Sequence, residues 1–94
     1  MFAVTRLRAR GEDGAALVAA VGPLLDALGA MPGFRGGEFG RAADDPDLWA
    51  LVTSWDGVGS YRRGLSAAAV KIAGAPVWLH ALDEPGVYVA DDPA

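Results

Sequence analysis

Along the first ten residues apolar and polar side chains alternate. Phe2, Val4, Arg6 and Arg8 fall on one side of an extended chain and Ala3, Thr5, Leu7 and Ala9 on the other, which predicts a strand over residues 2–10. Gly11-Glu12-Asp13-Gly14 reads as a break, with Asp13 placed to accept from free N–H groups of a following helix. The period then changes. Leu17, Val21, Leu24, Leu28 and Met31 form a helical stripe over residues 15–31, widened by Val18 and Leu25. Gly22-Pro23 lies inside it; the stripe continues in phase, so the expectation is one kinked helix, closed by Pro32-Gly33.

Residues 34–43 read as a strand rich in glycine, where Gly36, Gly37 and Gly40 suit a bulge or a close approach to the backbone. Asp44-Asp45-Pro46-Asp47 is a turn. Residues 48–55 give the clearest strand. Trp49, Leu51, Thr53 and Trp55 share one face and Leu48, Ala50, Val52 and Ser54 the other, and both faces are apolar enough to need cover. Asp56 is placed to cap a second helix with Val58, Tyr61 and Leu65 inward. Ser66 is placed to cap a short helical turn over residues 67–73 that Gly74 stops, and Pro76 suits the start of another over residues 76–82. Asp83-Glu84-Pro85-Gly86 turns into a last strand, Val87-Tyr88-Val89, and the tail Asp91-Asp92-Pro93-Ala94 should fray.

The order β, α, β, β, α, extra helical turns, β predicts one domain over residues 1–94 with an ordered core at about 2–90. Its expected fold is an α+β ferredoxin-like βαββαβ sandwich, an antiparallel sheet with helices on one face. The open face of such a sheet, apolar at the central strand, is expected to pair with a second copy. At 94 residues, 52% hydrophobic and 21% charged, the chain has the composition of a small globular domain. It has no cysteine, which excludes disulfides, thiolate metal sites and a cysteine nucleophile. A net charge of −4 without a basic run argues against nucleic acid. No apolar stretch reaches membrane-spanning length, and Met1-Phe2-Ala3-Val4 does not start like a secretory signal, so the expectation is a cytoplasmic protein.

Pro32-Gly33-Phe34-Arg35-Gly36-Gly37-Glu38, Asp44-Asp45-Pro46, Leu51-Val52-Thr53-Ser54-Trp55 and Ser60-Tyr61-Arg62 together resemble the antibiotic biosynthesis monooxygenase (ABM) domain, from Phe2 to about Val89. The resemblance implies a dimeric α+β barrel with a pocket between helices and sheet. It implies three activities known among relatives: cofactor-free oxygenation of anthrone-type polyketides, quinol oxidation and haem degradation. In the anthrone oxygenases a strand-ending tryptophan and the tyrosine after it line the pocket, which places those roles on Trp55 and Tyr61. A basic residue of the later helical segment falls on Lys71. The family's central-strand asparagine corresponds to Leu51, and its second-strand tyrosine–histidine pair to Phe39-Gly40. In the haem-degrading branch the first-strand asparagine corresponds to Thr5, the second-helix tryptophan to Gly64, and the iron-ligating histidine falls near Gly74 rather than His80.

The residues expected to carry chemistry are therefore Tyr61, Trp55 and Lys71, with Leu51, Phe39 and Thr5 lining the substrate site. Trp55 and Tyr61 offer stacking area and a hydrogen-bonding handle, and Lys71 a charge for an anion; each has a plain alternative as a packed core ring or a solvated lysine. His80 alone makes no metal site, and the Asp44–Asp47 run lacks the spacing of a calcium loop. Arg6, Arg8 and Arg10 read as a solvated or interface edge. The leading functional expectation is a homodimeric monooxygenase that oxidises a flat aromatic, an anthrone or quinol, with no cofactor. The alternative is a non-catalytic dimeric binding or accessory module. Haem binding or degradation is a third reading.

Overall fold

A computed structural model describes residues 1–91. Strand β1 (Phe2–Arg8) leads to helix α1 (Gly11–Gly29), then β2 (Phe34–Ala42), β3 (Asp45–Trp55), α2 (Val58–Ser66), α3 (Ala68–Trp78) and the short β4 (Val87–Tyr88). The four strands form one sheet in the order β2-β3-β1-β4, and every pairing is antiparallel. This is the ferredoxin-like α+β arrangement that the alternation of periods predicts. The side-chain alternation is also as expected. Ala3, Leu7, Trp49, Leu51, Thr53 and Trp55 are buried, and their neighbours on the other face are half-buried or exposed.

The buried face meets one cluster from the helices. Leu17, Val21, Leu24 and Leu28 of α1 and Val70 and Val77 of α3 pack with Leu7, Trp49, Leu51 and Trp55. Burying a side chain of this size contributes about 1.5–3 kcal/mol, so this cluster is the main source of stability. Among the described residues no helix lies over the face carrying Val4, Leu48, Ala50 and Val52. Phe2 and Tyr88 stack on it with ring centroids 5.4 Å apart.

Several element boundaries differ from expectation. Residues 11–14 do not break the chain: α1 starts at Gly11, where φ is +57°, and the Arg10 carbonyl accepts from Asp13 and Gly14. Asp13 makes no cap bond. It sits with Glu12 in the first turn, where negative charge faces the positive end of the helix. Pro23 stays inside one continuous helix, as the unbroken stripe requires. The Asp44–Asp47 turn shrinks to Ala43-Asp44, because Ala42 already pairs with Asp45. The glycines of β2 do accompany register shifts, between Phe34 and Gly36 and between Arg41 and Ala42.

The helical segments near the C-terminus depart furthest. Asp56 does not cap α2; it pairs with Arg35 at 2.9 Å, and Gly57 is the cap residue, its N–H donating to Ser60 Oγ at 3.2 Å. Ser66 ends α2 by donating to the Arg62 carbonyl at 2.8 Å. The turns expected at residues 67–73 and 76–82 are one helix, α3, with Gly74 and Pro76 inside it. Gly74 is buried and faces the core, while Pro76 is exposed, so the carbonyl it leaves unbonded lies on the solvent side. After α3 the chain rejoins β1, through a bridge between Ala81 and Leu7 and a bond from Leu82 N–H to the Arg6 carbonyl at 2.9 Å. Arg6 and Glu84 close this loop with two bonds of 2.6 and 2.8 Å, which hold the Glu84 carboxyl below its usual range. Val89 lies beyond β4, and the fraying expected of residues 92–94 falls outside the described residues.

Gly64 of α2 makes room for Trp55: a Cβ there would stand 2.5 Å from ring atom Cη2 and 2.8 Å from Cζ3. Trp55 is 1% exposed and has nowhere to retreat. Gly64→Ala is therefore expected to lower stability by about 1–3 kcal/mol despite alanine's better helix propensity. Gly29→Ala, with nothing within 4 Å of its Cβ, should raise it by no more than about 1 kcal/mol. Urea unfolding of both variants measures the contrast.

Candidate functional site

Between the sheet and the helices lies a small, partly open cavity. Ala3 and Thr5 of β1, Leu51 and Thr53 of β3, Leu28 of α1, Tyr61 and Leu65 of α2 and Trp78 of α3 line it. Its volume is about 10 Å³, room for at most one water. The lining is apolar except for three hydroxyls and the indole N–H, and no charged side chain reaches it.

Strand pairing positions two of the hydroxyls. Thr5 pairs with Leu51, and Thr53 with Ala3, so all four side chains point to the helix side of the two central strands. Tyr61 comes from the first turn of α2, where its N–H donates to the Gly57 carbonyl at 3.1 Å. Its ring stands edge-on to Trp55 with centroids 5.8 Å apart. Burial pushes the Tyr61 phenol above its usual value of 10.0. The hydroxyl is therefore a donor at neutral pH and not a base. Among the described residues no protein group bonds it.

The predicted site residues separate. Thr5, Leu51 and Tyr61 line the cavity together. Trp55 lies beneath it, donating Nε1–H to Thr53 Oγ1 at 3.0 Å and meeting Phe34 edge-on at 5.1 Å. Phe39 sits on the same side of the sheet but stacks on Trp49 with centroids 5.4 Å apart, away from the cavity lining. Lys71 is exposed and does not approach the cavity. The inward stripe of α3 is Val70, Gly74 and Val77, and Lys71 falls one residue off it. His80 lies in the turn after α3, outside the lining. Thr53 and Trp78 are lining residues that pattern reading did not single out. A threonine between Leu51 and Trp55 on an apolar face was the available signal for the first; dividing α3 at Gly74 hid the second.

A second hollow, of about 370 Å³, lies on the uncovered face of the sheet. Arg6, Glu38, Gly40, Leu48, Ala50 and Val52 bound it, with Gly40 and Ala50 too small to fill it. The other arginines of the first strand region pair with the hairpin: Arg8 with Asp45 at 3.3 Å and Arg10 with Asp47 at 3.5 Å. Among the described residues no group of three His, Asp or Glu side chains could hold a metal ion, and no helix is long and apolar enough to cross a membrane.

The fold and the sequence agree with one family. Residues 1–71 match the family described as antibiotic biosynthesis monooxygenase (ABM), and the chain belongs to it. No curated protein matches the sequence. Among solved structures, SnoaB from Streptomyces nogalater, a cofactor-independent oxygenase, is similar with a TM-score of 0.84 at 17% identity, over 98% of this chain and 93% of its own. A candidate antibiotic biosynthesis monooxygenase from Deinococcus radiodurans gives 0.80 at 18% identity, over 99% and 94% of the two chains. A conserved protein from Methanosarcina mazei gives 0.75 at 14% identity, over 92% and 84%. At these identities the likeness is one of fold.

A raised phenol value has a definite consequence for stability. The unfolded chain loses its Tyr61 proton near pH 10 and the folded chain only above it, so this contribution is complete below pH 10 and is lost as pH rises through the folded value. Ultraviolet titration should show a phenol component with a midpoint above 10.0 that Tyr61→Phe removes.

Proposed function

We propose that the protein is an oxygenase that acts on a flat, electron-rich aromatic, of anthrone or quinol type, bound between the sheet and helices α2 and α3. The observation that supports this reading is that Thr5, Thr53 and Tyr61, three hydroxyl-bearing residues, line one otherwise apolar space between sheet and helices. The family and the cofactor-independent neighbour agree with it.

The chemistry asks little of the protein. An anthrone carries a CH₂ group acidified by its rings and carbonyl, and its enolate forms without a strong base. The lining holds no carboxylate, imidazole or amine, so the substrate gives up its proton to bulk solvent as it enters, before the apolar walls surround it. The Tyr61 hydroxyl, kept protonated by burial, donates to the enolate oxygen and favours the anion. The enolate passes one electron to dioxygen, the two radicals combine, and the resulting hydroperoxide loses water to leave a ketone. The sum is R₂CH₂ + O₂ → R₂C=O + H₂O. Apolar walls exclude solvent from the intermediates. Trp55 acts through others, as the ring that props Tyr61 and holds Thr53. Lys71 is exposed and has no part in this scheme.

A second reading is favoured by the cavity's volume of about 10 Å³ and its lack of charge: a binding or accessory module that does not turn over. An oxygen electrode separates the two. With anthrone in metal-free buffer the oxygenase reading expects one O₂ consumed per anthrone, and a rate lowered at least about tenfold in Tyr61→Phe. A thermal shift with anthrone and no oxygen uptake supports the binding module. Equal rates for wild type and Tyr61→Phe remove Tyr61 from the scheme.

We also propose that the uncovered sheet face pairs with a second copy. Among the described residues nothing covers Val4, Leu48, Ala50 and Val52, and Phe2 and Tyr88 add two exposed rings. Sedimentation should give a dimer for the wild type. Val52→Lys, which places a charge on that face without touching the core, should give a folded monomer; a folded wild-type monomer of 9.7 kDa would end this reading.

A further inference from the structure

Two of the three tryptophans are held by a hydrogen bond and by aromatic contacts, and the third packs on the core without either. Trp49 donates Nε1–H to the Ala9 carbonyl at 3.2 Å and stacks on Phe39. Trp55 donates to Thr53 and meets two rings edge-on. Trp78 has neither bond: among the described residues its indole N–H has no acceptor and its ring no aromatic partner. It is half-buried at the last position of α3 and lies along the helix over Gly74. A Cβ on Gly74 would stand 3.0 Å from ring atoms Cδ1 and Cε2 and closer still to Nε1, so only glycine leaves the indole this seat.

A flat aromatic needs a site of about 300 Å³ or more, and the cavity offers about 10 Å³, so a wall must move. The sheet wall cannot. Ala3, Thr5, Leu51 and Thr53 stand on two strands paired along their length. Leu28 is 1% exposed within the core, and Tyr61 is braced on Trp55. Leu65 and Trp78 remain, and Trp78 is the larger. Solvent lies beside it, since Ile72 and Leu79 on the same helix and the turn after it are 77% and 69% exposed.

We propose that Trp78 is the gate of this site and a contact for its ligand. The indole rests on Gly74 when the site is empty, swings outward to admit a flat aromatic, and then packs against the ligand's face. The proposal rests on the reading of the cavity as the binding site. It adds a residue that decides how fast and how large a ring enters.

The test uses the full chain labelled with 5-fluorotryptophan and anthraquinone-2-sulfonate, a flat ketone that cannot turn over. Three fluorine resonances are expected, with that of Trp78 assigned by Trp78→Phe. Titration should move the Trp78 resonance and leave that of Trp49 in place. Gly74→Ala, which unseats the indole, and Trp78→Ala, which removes it, should each speed association at least about tenfold in stopped-flow mixing. Binding with the Trp78 resonance unmoved overturns the gate. So does a folded Trp78→Ala protein that binds no faster than wild type, or that binds nothing. If neither variant folds, the wild-type titration alone decides. Loss of the oxygenase reading looks different: ligand binds and Trp78 moves, yet anthrone consumes no oxygen.

Discussion

The fit of Trp55 against Gly64 is the contact on which the site depends. The indole closes the helix side of the sheet at the end of β3, and α2 lies close over it only because position 64 has no side chain. That approach sets where Tyr61 stands, one turn earlier on the same helix. The same ring fixes Thr53 through its N–H. One packed tryptophan thus orients two of the three hydroxyls without touching the cavity. A role in placement of this kind is invisible to any comparison of side-chain chemistry alone.

How much the sequence revealed depended on whether one period ran unbroken. The alternation through Leu48–Trp55 and the stripe from Leu17 to Leu28 each extend far enough to define a face, and both faces are as expected. With them came the sheet's composition, the ferredoxin-like order and the inward side of Tyr61. Glycine and proline misled where they were taken as stops. Gly74 and Pro76 sit inside α3 because one accepts an indole and the other faces water, and both reasons are tertiary. Cutting the helix there removed the spacing that ties Trp78 to Val70 and Gly74. Lys71 was misplaced for a different reason: its expected role came from the family resemblance, whereas helix geometry turns it away from the inward stripe of Val70, Gly74 and Val77. Asp13 and Asp56 were chemically suitable caps, but backbone carbonyls and Arg35 took up their roles or their charge.

The lining has a chemical logic of its own. Without a buried charge it avoids the desolvation cost that an unpaired carboxylate or amine would impose on a domain of 94 residues. On the proposed oxygenase reading, the same economy restricts the site to substrates that ionise readily.

The uncovered face has relief as well as grease. On its β2–β3 side Gly40 and Ala50 leave a dent, and at its β1–β4 margin the stacked Phe2 and Tyr88 rise as a ridge. A featureless surface laid over both would leave a void at one and a clash at the other. The second copy proposed for this face would therefore need its two-fold axis parallel to the strands, the one direction that brings its ridge over this dent and its dent over this ridge.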